Sequence, residues 1–170
     1  MKLGKTLSKI LVAGMGNVLR GDDGFGVEVV KKLQAESPPK SVEVIEVGIA
    51  GLTLVQKLLD GYDVLIMVDA ARRGGSPGTI YVIEPQVPKV SLDTLDMKLL
   101  NYLANGHYVE PSKVLALASG LGVLPKKVLI VACEPATQEE FSIGLTDAVK
   151  EAANKAIGIV LDLVTEESKN

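Results

Sequence analysis

Gly14-Met15-Gly16-Asn17-Val18-Leu19-Arg20-Gly21-Asp22-Asp23-Gly24-Phe25-Gly26 follows an apolar run over residues 10–13 and precedes a helical pattern that begins at Val27. The apolar run reads as a buried strand, so the quoted stretch is a glycine-rich crossing from strand to helix. Glycine permits the tight turn and a close backbone approach to whatever fills the crevice. Open α/β sheets place their sites at this end of a strand. The crossing also carries two adjacent carboxylates, Asp22 and Asp23, which are hard oxygen ligands or proton acceptors. One aspartate suffices to cap a helix, so the second needs another reason. A dinucleotide fingerprint requires G-x-G-x-x-G, but Leu19 stands where the third glycine belongs. The aspartates would also repel a pyrophosphate at the helix N-terminus. No G-x-x-x-x-G-K-[ST] pattern is present, which excludes a P-loop.

Outward from this crossing, strand and helix alternate. The first helix is expected over 27–36, stopped by Ser37-Pro38-Pro39. Residues 42–47 alternate acidic and aliphatic side chains, as in a strand with one solvated or edge face. Gly48-Ile49-Ala50-Gly51 forms a second glycine-rich crossing into a helix over 52–59. Residues 64–68 are continuously apolar, the pattern of a strand buried on both faces, and end on Asp69. A loop over 72–78 leads into a short strand over 79–83. That strand follows too closely for a helical crossover and so is expected to run antiparallel. Helices are expected over 92–104 and 111–121, then a strand over 127–133. A long helix over 145–164 carries an apolar stripe at spacings of three and four. The pattern predicts an α/β fold: a single three-layer domain over 1–170, with a twisted, mostly parallel sheet and helices on both faces.

Composition narrows the function classes. Hydrophobic residues make up 47% and charged residues 23%, which fits a well-packed core. Phe, Tyr and Trp are so few that this core must be aliphatic. A net charge of −3 argues against nucleic-acid binding, which needs a basic face. A single cysteine cannot form an internal disulfide, pointing to a reducing cytoplasm. The basic first residues lack the apolar stretch of a signal peptide, and no apolar run is long enough to span a membrane. Nothing demands more than a monomer.

Three residues stand out by position: Asp23 in the first crossing, Asp69 ending the most apolar strand, and His107, the only histidine. Each has an ordinary reading, as a cap, a turn residue or a surface imidazole. Strands one and three are commonly neighbours in such sheets, so Asp23 and Asp69 are expected to meet in one crevice. With His107 they would form an O, O, N site with open positions, suited to zinc, nickel or iron. Cys133 ends an apolar strand and reads as packing; as a nucleophile it would need His107 as its base. No G-x-S-x-G elbow is present.

These residues resemble a known family, the maturation endopeptidases of nickel-iron hydrogenases. The matching pieces are the 16–26 crossing, Gly48-Ile49-Ala50-Gly51, Val68-Asp69-Ala70, Pro77-Gly78-Thr79, His107, Glu134-Pro135 and Gly144-Leu145-Thr146, in the family's order. The resemblance implies a five-stranded sheet. It implies a metal-dependent endopeptidase that removes the C-terminal extension of a [NiFe]-hydrogenase large-subunit precursor after nickel insertion. It maps the family's metal ligands onto Asp23, Asp69 and His107, with nickel supplied by the precursor and zinc or cadmium able to substitute. The family's first ligand is Glu or Asp; the shorter Asp23 demands a closer backbone. No separate catalytic base is assigned. Two alternatives stay open: a peptidyl-tRNA hydrolase-like enzyme, which shares a Gly-x-Gly-Asn loop, and a non-catalytic metal- or nucleotide-binding module.

Overall fold

The computed structural model describes residues 7–91, 110–139 and 141–169. Its strands are β1 (Ile10–Met15), β2 (Val42–Gly48), β3 (Val64–Ala70), β4 (Ile80–Ile83) and β5 (Lys127–Cys133). Its helices are α1 (Phe25–Ala35), α2 (Gly51–Leu58), α3 (Pro111–Gly120) and α4 (Asp147–Glu167). The expected helix over 92–104 lies outside the described residues. One sheet has the order β2-β1-β3-β5-β4. β1, β2, β3 and β5 are parallel, and β4 runs antiparallel along β5, as its short connection predicted.

Side-chain alternation divides the core into two layers. Ile10 and Val12 of β1, with Ile66 and Val68 of β3, face α1 and α4. Leu11, Ala13 and Met15, with Leu65 and Met67, face α2 and α3. Every residue of β1 and β3 is buried, which is why both strands read as continuous apolar runs rather than alternating ones. β2 is an edge strand, consistent with its acidic alternation.

Several boundaries differ from the sequence expectation by one to three residues, and two of the differences have a direct physical reason. β3 continues through Asp69 to Ala70 because β5 pairs with it that far, Asp69 opposite Ala132 and Ala70 opposite Cys133. α4 begins at Asp147 rather than at 145, because the Thr146 N–H and hydroxyl both donate to Asp22, at 2.7 and 3.0 Å. Those bonds hold Thr146 in extended geometry at the N-cap. Among the described residues, no helix is long and apolar enough to cross a membrane.

The chain reverses its direction of winding between β1 and β3. β2 lies on one side of β1, and β3 and β5 on the other. This is the switch point at which doubly wound sheets open a crevice. The start of α1 is pressed into it. A Cβ on Gly26 would stand 2.0 Å from the Val68 carbonyl oxygen and 2.4 Å from that of Met15. Gly26→Ala is therefore expected to cost about 3 kcal/mol or more in urea unfolding, since the clash is with backbone that cannot rotate away. Gly158 lies within α4 with no atom within 4 Å of its missing Cβ. Gly158→Ala should gain roughly 0.5–1 kcal/mol. A Gly26→Ala variant as stable as wild type would show that this contact does not seat α1.

Candidate active site at the switch point

Asp23 sits in a single turn of 3-10 helix, Gly21–Gly24, between β1 and α1. It is 1% exposed. Its Oδ2 accepts the Asn17 N–H at 2.9 Å and its Oδ1 accepts Gln138 Nε2 at 2.8 Å. Gly16 makes this placement possible. Its φ is +118°, and a Cβ there would lie 1.8 Å from the Asp23 carbonyl oxygen. Asp69 is 3% exposed at the next-to-last position of β3, and its Oδ1 accepts the N–H of Ala70 at 2.9 Å. That oxygen is 3.7 Å from the same vacant Cβ position of Gly16. The structure thus brings Asp23 and Asp69 to one point, as their positions in the sequence predicted.

Burial pushes the Asp69 carboxyl up to about 7, and the neighbouring Asp23 charge adds to the effect, opposed by the Ala70 N–H. Two buried carboxylates that repel one another form a donor pair for a hard or borderline divalent cation, whose charge would offset both. Among the described residues, no group of three or more His, Cys, Asp or Glu side chains is placed to hold a metal. His107 lies outside the described residues.

Asp22 does not cap a helix, and neither does Asp23; no side-chain cap bond is made at either helical start. Asp22 is fully buried and accepts the backbone N–H groups of Ala136, Thr137 and Thr146, together with the Thr146 hydroxyl. It ties the segment after β5 to the first crossing. Glu134 does the same for the segment after β3, accepting the N–H groups of Arg73 and Gly75 at 2.7 and 3.2 Å. Those donors hold its carboxyl below the usual range, the Arg73 N–H first, against the opposing effect of burial.

Gln138 is a contact of the site that sequence reasoning did not single out. Its amide donates to Asp23, its Oε1 accepts Arg72 Nε at 3.2 Å, and its carbonyl accepts Arg20 Nη2 at 3.3 Å. A cleft of about 580 Å³ opens beside Asp69, bounded by Arg72, Arg73, Glu110, Pro111, Ile130 and Gln138 among others. A smaller cleft of about 200 Å³ lies between the two glycine-rich crossings, lined by Gly16, Asn17, Leu19 and Gly48.

Cys133 is completely buried, and its Sγ lies 3.7 Å from the carbonyl oxygen of Glu134. Burial first, then the Asp22 and Glu134 charges, push its thiol up to about 11. It is a packing residue in the α1/α4 layer, not an activated nucleophile.

A mostly parallel sheet thus carries a buried carboxylate pair at its switch point, with two clefts beside it. Residues 27–163 match the model of the hydrogenase maturation proteases. The hydrogenase expression/formation protein HupD of Thiocapsa roseopersicina is 34% identical over 160 residues, spanning 93% of this chain and 68% of that protein. A hydrogenase 2 maturation peptidase from a Thaumarchaeota archaeon superposes with a TM-score of 0.68 at 32% identity, covering 92% of this chain and 98% of that one. The Escherichia coli hydrogenase maturating endopeptidase HybD superposes with a TM-score of 0.69 at 29% identity, covering 93% of each chain. The chain belongs to the hydrogenase maturation protease family and is an endopeptidase, as the resemblance implied. This sets aside the peptidyl-tRNA hydrolase and non-catalytic alternatives.

Because its folded pKa is raised, Asp69 binds a proton more tightly in the folded protein than in the unfolded chain. Its contribution to stability is retained below about pH 4 and falls as the pH rises to about 7. In urea unfolding with chelator present, Asp69→Asn should remove that fall and be more stable than wild type at pH 8. An unchanged pH slope in the variant would show that Asp69 is not the group responsible. Cys133→Ala should keep most of the activity, and thiol alkylation of the folded protein should not abolish it. Complete inactivation in a folded variant would restore the thiol-nucleophile reading.

Proposed function

We propose that the protein removes the C-terminal extension of a [NiFe]-hydrogenase large-subunit precursor once nickel has been inserted, and that it recognises the nickel directly. The observation that carries this reading is the buried, mutually repelling pair Asp23 and Asp69 at the switch point, with Asp69 lining a cleft. Nickel here belongs to the substrate. Asp23 and Asp69 supply two oxygens and His107 the third, nitrogen ligand. A site of this kind is incomplete alone, so a precursor without metal offers it nothing to grip.

The chain's own groups do the positioning. The Asn17 N–H and the Gln138 amide each hold one oxygen of Asp23, which fixes where a metal can sit. The cleft beside Asp69 receives the chain on either side of the scissile bond. Three ligands fix the metal against that bond, and a shift of about 1 Å can cost roughly a hundredfold in rate. Zinc or cadmium would occupy the same ligands in vitro. The protein acts in the cytoplasm as a monomer, where precursor and enzyme meet in solution.

Gel-resolved processing of purified precursor, with and without nickel, tests the reading. Nickel-loaded precursor should be cut and nickel-free precursor should stay intact. Asp23→Ala, Asp69→Asn and His107→Ala should each lower the rate by roughly a hundredfold or more, with folding checked by circular dichroism. Efficient cutting of nickel-free precursor would overturn nickel recognition, and full activity of His107→Ala would remove that residue from the site.

A further inference from the structure

The chain contains two phenylalanines. Phe25 is completely buried at the start of α1, whereas Phe141 is 89% exposed. Ile143, two residues on, is 83% exposed. Such side chains are costly to leave in water, and contiguous exposed apolar surface marks an interaction site. A third side chain joins them. Arg20 and Ser142 form a parallel bridge, and the Gly21 N–H donates to the Ser142 carbonyl at 2.6 Å. Leu19, 51% exposed, and Phe141 are therefore neighbours in register, each one residue before a bridge partner. Among the described residues, Phe141 is also one of two non-glycine residues with positive φ, at 61°. An aromatic residue in that conformation costs free energy, so its backbone is held by the surrounding bonds rather than by its own preference.

The patch is joined to the site by short, buried connections. Gly21 is two residues from Asp23. The segment that carries Phe141 and Ile143 begins with Gln138, which donates to Asp23, and ends with Thr146, which donates to Asp22. The segment therefore adjoins the turn that carries Asp23, beside any macromolecule that presents a metal there.

We infer that Leu19, Phe141 and Ile143 form a docking surface for an apolar segment of the large-subunit precursor that flanks its metal-bearing site. The inference rests on the function proposed above. Docking there supplies affinity through apolar burial, and the metal supplies the condition for cutting. The two contributions are separable because none of the three side chains faces the Asp23–Asp69 pair through a hydrogen bond or charge.

The test is the double variant Phe141→Asn, Ile143→Ser. Asn tolerates positive φ, so the change removes apolar surface without adding backbone strain. Two quantities are measured with nickel-loaded precursor: the Kd by titration, and KM and kcat by processing. The expected result is a Kd and KM raised roughly tenfold or more, as for loss of an aromatic anchor, with kcat within about twofold of wild type. A drop in kcat at unchanged KM would overturn the docking role and make the segment a positioning element instead. Sedimentation of the free enzyme covers self-association: a wild-type dimer that the double variant converts to monomer, with KM unchanged, would assign the patch to a second copy of the chain and overturn the inference. If wild type and variant bind and cut equally, this inference alone fails. If wild type neither binds nor cuts the precursor, the proposed function fails with it.

Discussion

The whole site depends on a backbone-to-backbone contact. Gly26 lies so close to the carbonyl oxygens of Val68 and Met15 that no side chain fits between them. Gly14 completes the contact from β1, since a Cβ there would lie 2.4 Å from the Gly26 carbonyl oxygen. Two neighbouring strands, β1 and β3, and the first turn of a helix therefore meet at a separation only glycine allows. The consequence is positional. With α1 seated this deep, the turn before it has to fold back over the end of β1, and Asp23 is carried to the end of β3 where Asp69 emerges. Gly16 then adopts φ +118° to let the chain pass behind Asp23. The short reach of an aspartate is enough because the backbone has been brought to it.

All the buried charged residues described are acidic, and all lie at this end of the sheet: Asp22, Asp23, Asp69 and Glu134. Their environments divide them into two kinds. Asp22 and Glu134 are surrounded by backbone N–H donors from segments that follow other strands. Each acts as a strut, and each donor it satisfies is one that a loop would otherwise leave buried and unpaired. Asp69 takes the opposite course. With the Ala70 N–H as its donor among the described residues and Asp23 as a neighbour, its charged form is disfavoured. The difference between Glu134, whose charged form is favoured, and Asp69, whose charged form is not, follows from the number of N–H groups aimed at each and from the charge beside Asp69.

Much of the fold was legible in the sequence because its signals are local. Continuous apolar runs marked β1 and β3, acidic alternation marked β2 as an edge, and the short connection after β3 forced β4 to run antiparallel. The meeting of Asp23 and Asp69 followed from one general rule about neighbouring strands. What escaped reading is held by bonds that span the chain. Asp22 reaches Ala136 and Thr146, and Asp23 reaches Gln138, across separations of 114, 124 and 115 residues. No periodicity or spacing reports such a bond, so Asp22 looked like a cap and Gln138 looked like any polar loop residue. The start of α4 was misplaced for the same reason, since a carboxylate from the other end of the chain holds Thr146 out of the helix. His107, assigned by position and by resemblance, lies outside the described residues.

The free protein bears a cost for keeping this arrangement ready. Moving the Asp69 carboxyl from 3.8 to about 7 corresponds to roughly 4 kcal/mol against its charged form. That is a large share of the net stability of a domain of this size. A sequence under pressure for stability alone would place an apolar residue at Asp69, flanked as it is by Val68 and Ala70 in a fully buried strand. The two struts and the glycine contacts offset the cost by making the rest of the crevice rigid. In the proposed function the cost has a use. In the free protein a proton on Asp69 offsets the repulsion in part, and a cation between the carboxylates offsets it more fully, so part of the free energy that favours the complex comes only from a precursor that carries its metal. Discrimination between loaded and unloaded precursor then needs no moving part, only a carboxylate pair held too close and too dry to be comfortable alone.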